Sequence, residues 1–300
     1  MNAVAAIETS GLTKVYDGTP ALDSLDLTVE RGELFGFLGP NGAGKTTTIR
    51  LLLDLIRPTS GSARVLGMDC QHQSRDVRAV TGYLPGDLRL YPGLRGREMV
   101  DLIGGMRAHP IDQNYVRSLA ERMDLDLEKH AGSHSKGNRQ KLGILLALLG
   151  RPAVLLLDEP TSGLDPIVQR AVWDILHAEA ERGAAIFFSS HVMSEVDQVC
   201  ERVGILRAGK LVAVETVANL KGRALRHVEV SFRIGAPAAA AVAVPGASEI
   251  RREHSTLEFE VSGEIGPLLR ALAPFDVLDL RTEQPTLDEV LLTYYREAQA

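Results

Sequence analysis

The chain has 300 residues, is 45% hydrophobic and 24% charged, and carries a net charge of −6 with a pI of about 5.8. That is the mix of one large or two ordinary globular domains, and it excludes disordered and fibrous chains. The acidic bulk is no electrostatic match for nucleic acid or anionic lipid. No apolar run approaches the roughly 18 residues of a membrane span, and the first residues lack the basic start and long apolar stretch of a secretory signal. Two cysteines, Cys70 and Cys200, are too few for a disulfide framework and have no metal-ligand partners at useful spacing. They read as packing residues of a protein in the reducing cytosol.

Taken in chain order, Leu25 to Val29 alternates with period two and predicts a half-buried strand. Glu33 to Leu38 is an apolar run that ends in a Gly-rich turn. Thr46 to Ile56 carries Ile49, Leu52, Leu53 and Ile56 at helical spacing, and Arg57-Pro58-Thr59-Ser60-Gly61 stops that helix. Ala153 to Leu157 and Ala184 to Phe188 are short continuous apolar runs between helical patterns. Such alternation predicts an α/β core on a largely parallel sheet, whose buried strands are apolar on both faces.

The pattern changes at Lys221-Gly222. His227 to Ile234 alternates, with Val228, Val230, Phe232 and Ile234 expected on one face. An Ala/Pro/Gly stretch follows from Gly235 to Gly246, and its Ala-rich tract from Ala238 to Ala243 reads as loop or poor helix. Leu257, Phe259 and Val261 mark another strand, Gly266 to Leu272 a helix, and Asp276 to Leu280 a strand. A last helix opens at Thr286-Leu287-Asp288-Glu289 with a capping box after Pro285. The expected division is therefore 1–220 and 221–300, the second part a small α+β module. With 9 basic and 12 acidic residues, that module has no excess for nucleic acid.

The chemistry begins at Gly39-Pro40-Asn41-Gly42-Ala43-Gly44-Lys45-Thr46, which matches the phosphate-binding loop G-x-x-x-x-G-K-[ST] between a strand and a helix. Its glycines let backbone N–H groups wrap a phosphate, and the helix start adds partial positive charge. Lys45 can reach β- and γ-phosphates, the Thr46 hydroxyl can ligate Mg²⁺, and Thr47 beside it is a further nucleotide-binding candidate. Further on, the run Ala153 to Leu157 ends in Asp158 and Glu159, which places two carboxylates at the C-terminal edge of the sheet. Asp158 suits Mg²⁺, and Glu159 suits the water that attacks the γ-phosphate.

With these segments the chain resembles the ABC ATPase family from about Ile7 to Val214. Asp158-Glu159-Pro160-Thr161-Ser162-Gly163-Leu164-Asp165 is similar to that family's joined Walker B and D-loop. Ser135-Lys136-Gly137-Asn138-Arg139-Gln140 falls where its signature motif stands, Ser190-His191 resembles its switch histidine, and Tyr16 fits its adenine-stacking aromatic. The resemblance implies a P-loop ATPase core with a helical subdomain. It also implies two cassettes closing head to tail on ATP, with Ser135, Gly137 and Asn138 of one touching the γ-phosphate held by the other. His191 would bridge the γ-phosphate and the partner's D-loop. His130 and His134 read as surface residues with no role.

One segment departs from the family. Gly82-Tyr83-Leu84-Pro85-Gly86-Asp87 has Gly86 where a metal-ligating Gln is usual. Asp87 is open to two readings, a water-mediated stand-in or a solvated loop acid.

The signature form, the Leu-Pro-Gly-Asp stretch and the closing Thr286 to Tyr295 segment resemble bacterial drug and antibiotic exporters. That implies an ATP-hydrolysing subunit, with a separate integral membrane permease, at the cytoplasmic face of the membrane. Tyr91, Pro92 and Leu94 would offer the permease a docking surface. The rival is a soluble or regulatory ABC ATPase not tied to transport. A single phosphate loop speaks against the two-cassette ribosomal type. The gap of about 90 residues before Ser135, without heptads, speaks against the DNA-repair type.

Overall fold

The computed structural model describes residues 5–107, 110–223 and 226–283, and the chain divides into two units, 1–214 and 215–300. In the first unit the strands are β1 (Ile7–Tyr16), β2 (Thr19–Val29), β3 (Leu34–Leu38), β4 (Ser60–Val65), β5 (Met68–Asp69), β6 (Thr81–Leu84), β7 (Val154–Asp158), β8 (Ala185–Ser190), β9 (Arg202–Arg207) and β10 (Lys210–Thr216). The helices are α1 (Lys45–Leu52), α2 (Ser74–Val80), α3 (Gly96–Gly104), α4 (Gln113–Arg122), α5 (Lys136–Leu148), α6 (Pro166–Glu181) and α7 (Met193–Val199).

A six-stranded sheet with the order β10-β9-β3-β8-β7-β6 forms the centre, and its inner strands run parallel. Every residue of β3, β7 and β8 is buried, the signature of strands covered on both faces. Phe187 on β8 lies 5.9 Å from the ring of Phe35 and 4.9 Å from that of Phe37 on β3. Truncating such a buried ring to Ala costs about 3–5 kcal/mol.

Beside this sheet a second one, antiparallel and ordered β2-β1-β4-β5, buries Leu22, Leu25, Leu27 and Val29 on one face. The alternation from Leu25 to Val29 is thus the second half of a longer strand. Helices α3 to α5 fill the interval between β6 and β7 as the helical subdomain. The helix expected to reach Ile56 stops at Leu52. Asp54 takes φ 53°, a left-handed conformation that breaks the run whatever the side-chain spacing.

The second unit contains α8 (Val217–Arg223), β11 (Arg226–Phe232), α9 (Ala239–Val242), β12 (Ala247–Glu253), β13 (Thr256–Val261), α10 (Gly266–Leu272) and β14 (Val277–Glu283). Its sheet is antiparallel with the order β12-β13-β11-β14. One face buries Val228, Val230, Leu257 and Phe259 under Val242 of α9 and Leu268 of α10. The two units divide at 214/215, a few residues ahead of Lys221-Gly222. One expectation changes here. Ile234 is 88% exposed, since β11 ends at Phe232 and the chain turns at Gly235 with φ 112°. The final helix expected at Thr286 lies outside the described residues.

Candidate active site

Parallel pairing aligns three strand ends. Leu38 of β3 faces Ser190 of β8, and Ser189 of β8 faces Asp158 of β7. The phosphate loop, the paired acids and His191 therefore leave the sheet at one edge, the edge where α/β folds bind ligands. The loop and the acids line a cleft of about 260 Å³, through Asn41, Gly42, Ala43, Lys45, Asp158 and Glu159, together with Gly44, Thr46, Thr47 and Gly86.

The loop's shape requires glycine at two places. A Cβ on Gly39 would lie 2.4 Å from the Leu206 carbonyl oxygen. Gly44 has φ 111°, and a Cβ there would lie 2.5 Å from the Ala21 carbonyl oxygen. Helix α1 starts from Gly44 with no side-chain cap and no acid in its first turn. Its leading N–H groups are left free of side-chain acceptors, which suits an anion. Lys45 is 6% exposed, and its Nζ donates to the carbonyls of Gly39 at 2.6 Å and Pro40 at 3.2 Å. Burial holds its pKa below the ordinary lysine value, while the charges of Glu159 and Asp158 oppose that shift.

Asp158 is 3% exposed, and both of its oxygens accept hydroxyl bonds. Thr46 Oγ1 donates to Oδ2 at 2.6 Å, and Ser189 Oγ donates to Oδ1. Glu159 turns the chain with φ 51°. Its N–H donates to the Ser189 carbonyl at 3.1 Å. From α5, the Gln140 amide donates to the carbonyls of Glu159 at 3.0 Å and Pro160 at 2.9 Å. The Glu159 carboxylate meets His191 Nδ1 at 2.8 Å. An ionised carboxylate only accepts, so Nδ1 carries the hydrogen in that contact.

The other expected residues stand apart from this cleft. Ser135 caps α5 by accepting the Asn138 N–H at 3.2 Å. Ser135, Gly137 and Asn138 do not line the phosphate cleft of their own chain. Tyr16, at the end of β1, is 45% exposed, with Lys14 Nζ 4.9 Å from its ring centroid. Gly86 lines the cleft, and a Cβ there would lie 3.0 Å from Asp158 Oδ2. Asp87 does not line it; its carboxylate accepts two bonds from Arg89, at 3.1 and 2.9 Å, at the surface. His134, read as a surface residue, is 4% exposed, and neither ring nitrogen has a hydrogen-bond partner. It lies between the short turn Ala131–Ser133 and α5, with its ring folded inward.

Sequence reasoning gave no role to Ser189, Gln140 or Glu195. Ser189 pairs with Asp158 only through sheet register. Glu195 stands one helical turn after His191, and its two oxygens accept from Thr161 and Ser190.

The likeness to known proteins agrees with this arrangement. A family described as ABC transporter matches residues 22–162. The chain is 39% identical over 226 residues to the bacitracin transport ATP-binding protein BcrA of Bacillus licheniformis, covering 74% of each chain. It is 35% identical over 304 residues to the daunorubicin resistance ATP-binding protein DrrA3 of Streptomyces coeruleorubidus, covering 97% of this chain and 96% of that one. Among solved structures, an ATP-binding subunit of an ABC transporter superposes with a TM-score of 0.67 at 28% identity, over 72% of this chain and 92% of that chain. The phosphate loop, the acids and the histidine thus converge within a cassette fold shared with these relatives, and the chain belongs to the ABC transporter family as an ATPase cassette.

Proposed function

We propose that this chain binds ATP in the cleft at Gly39–Thr47 and hydrolyses it to power export of a drug, antibiotic or lipid-like cargo through a separate integral membrane permease. One observation carries the reading. Lys45, Asp158 and Glu159, from two strand ends, line one cleft at the head of α1, and His191, from a third strand end, contacts Glu159 at 2.8 Å. In this reading the loop N–H groups and Lys45 hold the phosphates. Glu159 orients a water and accepts its proton as the water oxygen bonds the γ-phosphorus and the β–γ bridge oxygen leaves. His191, fixed by Glu159, faces the same γ-phosphate.

The donor set at the cleft fits Mg²⁺. The Thr46 hydroxyl and the Asp158 carboxylate are hard oxygen donors 2.6 Å apart. These two residues would hold the ion, whose charge, when bound, offsets that of the phosphate oxygens. Tyr16 would supply an adenine-stacking face.

Ser135, Gly137 and Asn138 do not line their own chain's cleft, and this reading gives them the γ-phosphate of a second cassette, in a homodimer. That suits Ser135 at the uncrowded start of a thirteen-residue helix. The permease is assigned to the surface around Tyr91 and Pro92. Tyr91 there is 62% exposed and borders an apolar cavity of about 330 Å³ lined by Leu88, Leu90, Met99 and Ile103. No helix among the described residues is long and apolar enough to cross a membrane. In this reading the chain works as a peripheral subunit at the cytoplasmic face.

The test is ATP turnover by the purified chain, alone and reconstituted with its permease in vesicles. Hydrolysis that Glu159→Gln abolishes, with export requiring both proteins, is the expected result. Equal inertness of wild type and variant would refute the enzymatic reading.

A further inference from the structure

We propose that Glu195 is a positioning residue for hydrolysis, a carboxylate that ties the turn carrying Glu159 to the turn carrying His191. The inference rests on the reading above, in which these two side chains act together at the γ-phosphate.

Glu195 lies in the first turn of α7. Its Oε1 accepts from Thr161 Oγ1 at 2.5 Å, and its Oε2 accepts from Ser190 Oγ at 2.6 Å. Thr161 comes two residues after Glu159, and Ser190 comes immediately before His191. Both hydroxyls belong to residues only 1% exposed, and the carboxylate is the acceptor that satisfies them there. Hydrogen bonds to an ionised acceptor are also the stronger kind.

Ser190 extends the tie. Its Oγ accepts the Val192 N–H at 2.9 Å while donating to Glu195. One hydroxyl therefore brackets His191 from both sides along the chain. On the other arm, the left-handed turn at Glu159 is held by Ser189 beneath it and by Gln140 from α5. Those two fix the Glu159 backbone. Ser189, two residues before His191, already joins this turn to β8; the bond from Thr161 to Glu195 adds a second tie, from the residues after Glu159 to the segment that follows His191. The 2.8 Å contact between Glu159 and His191 is thus set from behind by a group that does not line the cleft. Losing that tie leaves the phosphate loop, Asp158 and the cleft lining as they are. It frees the two reactive arms to drift relative to each other, and a displacement of about 1 Å in such a pair costs on the order of a hundredfold in rate.

The experiment measures kcat, KM, nucleotide affinity and melting temperature of the full chain with Mg²⁺ and ATP. Glu195→Ala is expected to lower kcat by about tenfold or more while ATP affinity stays within about twofold. Glu195→Gln is expected to retain most of the rate, because its carbonyl accepts one hydroxyl bond and its amide donates to the other hydroxyl oxygen. Adding His191→Ala should cost much less in the Glu195→Ala background than in the wild type, since the histidine there is already misplaced. A merely structural role predicts the same His191→Ala factor in both backgrounds, or affinity and melting temperature falling in step with kcat. Either result overturns the proposal. Should Glu195→Ala fail to fold, Thr161→Val removes one donor at nearly constant volume: a lowered kcat with unchanged affinity supports the tie, and an unchanged kcat overturns it. Glu159→Gln is measured alongside. If it is inert, the hydrolytic reading stands whatever Glu195 does; if it turns over like wild type, that reading falls and this inference with it.

Discussion

The hydroxyl of Thr46 and the carboxylate of Asp158 meet at 2.6 Å although they are separated by 112 residues along the chain. One belongs to the first turn of α1 and the other to the last position of β7, so the sheet order and the loop that follows β3 together bring them into contact. Asp158→Asn replaces a carboxylate oxygen by an amide at this pair. ATP affinity measured with Mg²⁺ should fall by about tenfold, whereas affinity measured in chelator should change little, because a hard cation needs the anionic oxygen. Chelation should stop turnover of the wild type. Isothermal titration in both buffers checks this, and equal losses in both would remove Asp158 from the metal site.

Glu159→Gln keeps the volume of the side chain and removes its proton-accepting charge. Turnover is expected to drop by about 10²–10⁴-fold with ATP binding intact. ATP should then hold the variant as a dimer in size-exclusion chromatography. A protein that stays monomeric with ATP and Mg²⁺ would count against the two-cassette reading.

Lys45 is buried and donates to loop carbonyls that it would exchange for phosphate oxygens. ATP at about a hundred times its Kd stabilises a fold by roughly 2.7 kcal/mol, a shift of a few degrees in melting temperature. Lys45→Met should erase most of that shift. Differential scanning fluorimetry reads it directly, and a full shift in the variant would dismiss Lys45 as a phosphate ligand.

Burial lowers the pKa of His134 from its ordinary 6.5, and the nearby Lys129 pushes in the same direction. The charged ring is therefore disfavoured in the fold but not in the unfolded chain. Below about pH 6.5 the unfolded state takes up the proton first, so the stability present above that pH is lost as pH falls through the lowered value. The melting temperature should decline from pH 7 to pH 5.5, and His134→Leu should flatten that decline. An unchanged slope in the variant would place the responsible group elsewhere.

Asp87, of the two readings open to it, takes that of a solvated loop acid, since Arg89 engages its carboxylate outside the cleft. Asp87→Ala should leave the Mg²⁺ dependence of turnover unchanged. Gly86→Ala places a methyl against the doubly bonded Asp158 carboxylate and should slow turnover several-fold. Steady-state assays across a Mg²⁺ titration separate the two.

Residue order alone carried the phosphate loop, because its chemistry is local: eight consecutive residues must wrap one anion, and only glycine tolerates the approach at Gly39 and Gly44. The paired acids were legible for the same reason, as a strand that ends in charge. The short strands β7 and β8 read correctly because burial on both faces demands an unbroken apolar run.

What residue order could not decide is every relation made across the sheet. Ser189 reaches Asp158, and Glu195 spans Thr161 and Ser190, only because β8 lies between β3 and β7, and register is fixed by pairing rather than by any local signal. The burial of His134 and the exposure of Ile234 escaped for a related reason. Periodicity states which side a residue would take within a regular element, and both positions lie just outside one, where the surrounding packing chooses the side. The ligand class was thus written in consecutive residues, while the positioning of the groups that act on it was settled by long-range contacts whose geometry exists only once the chain is folded.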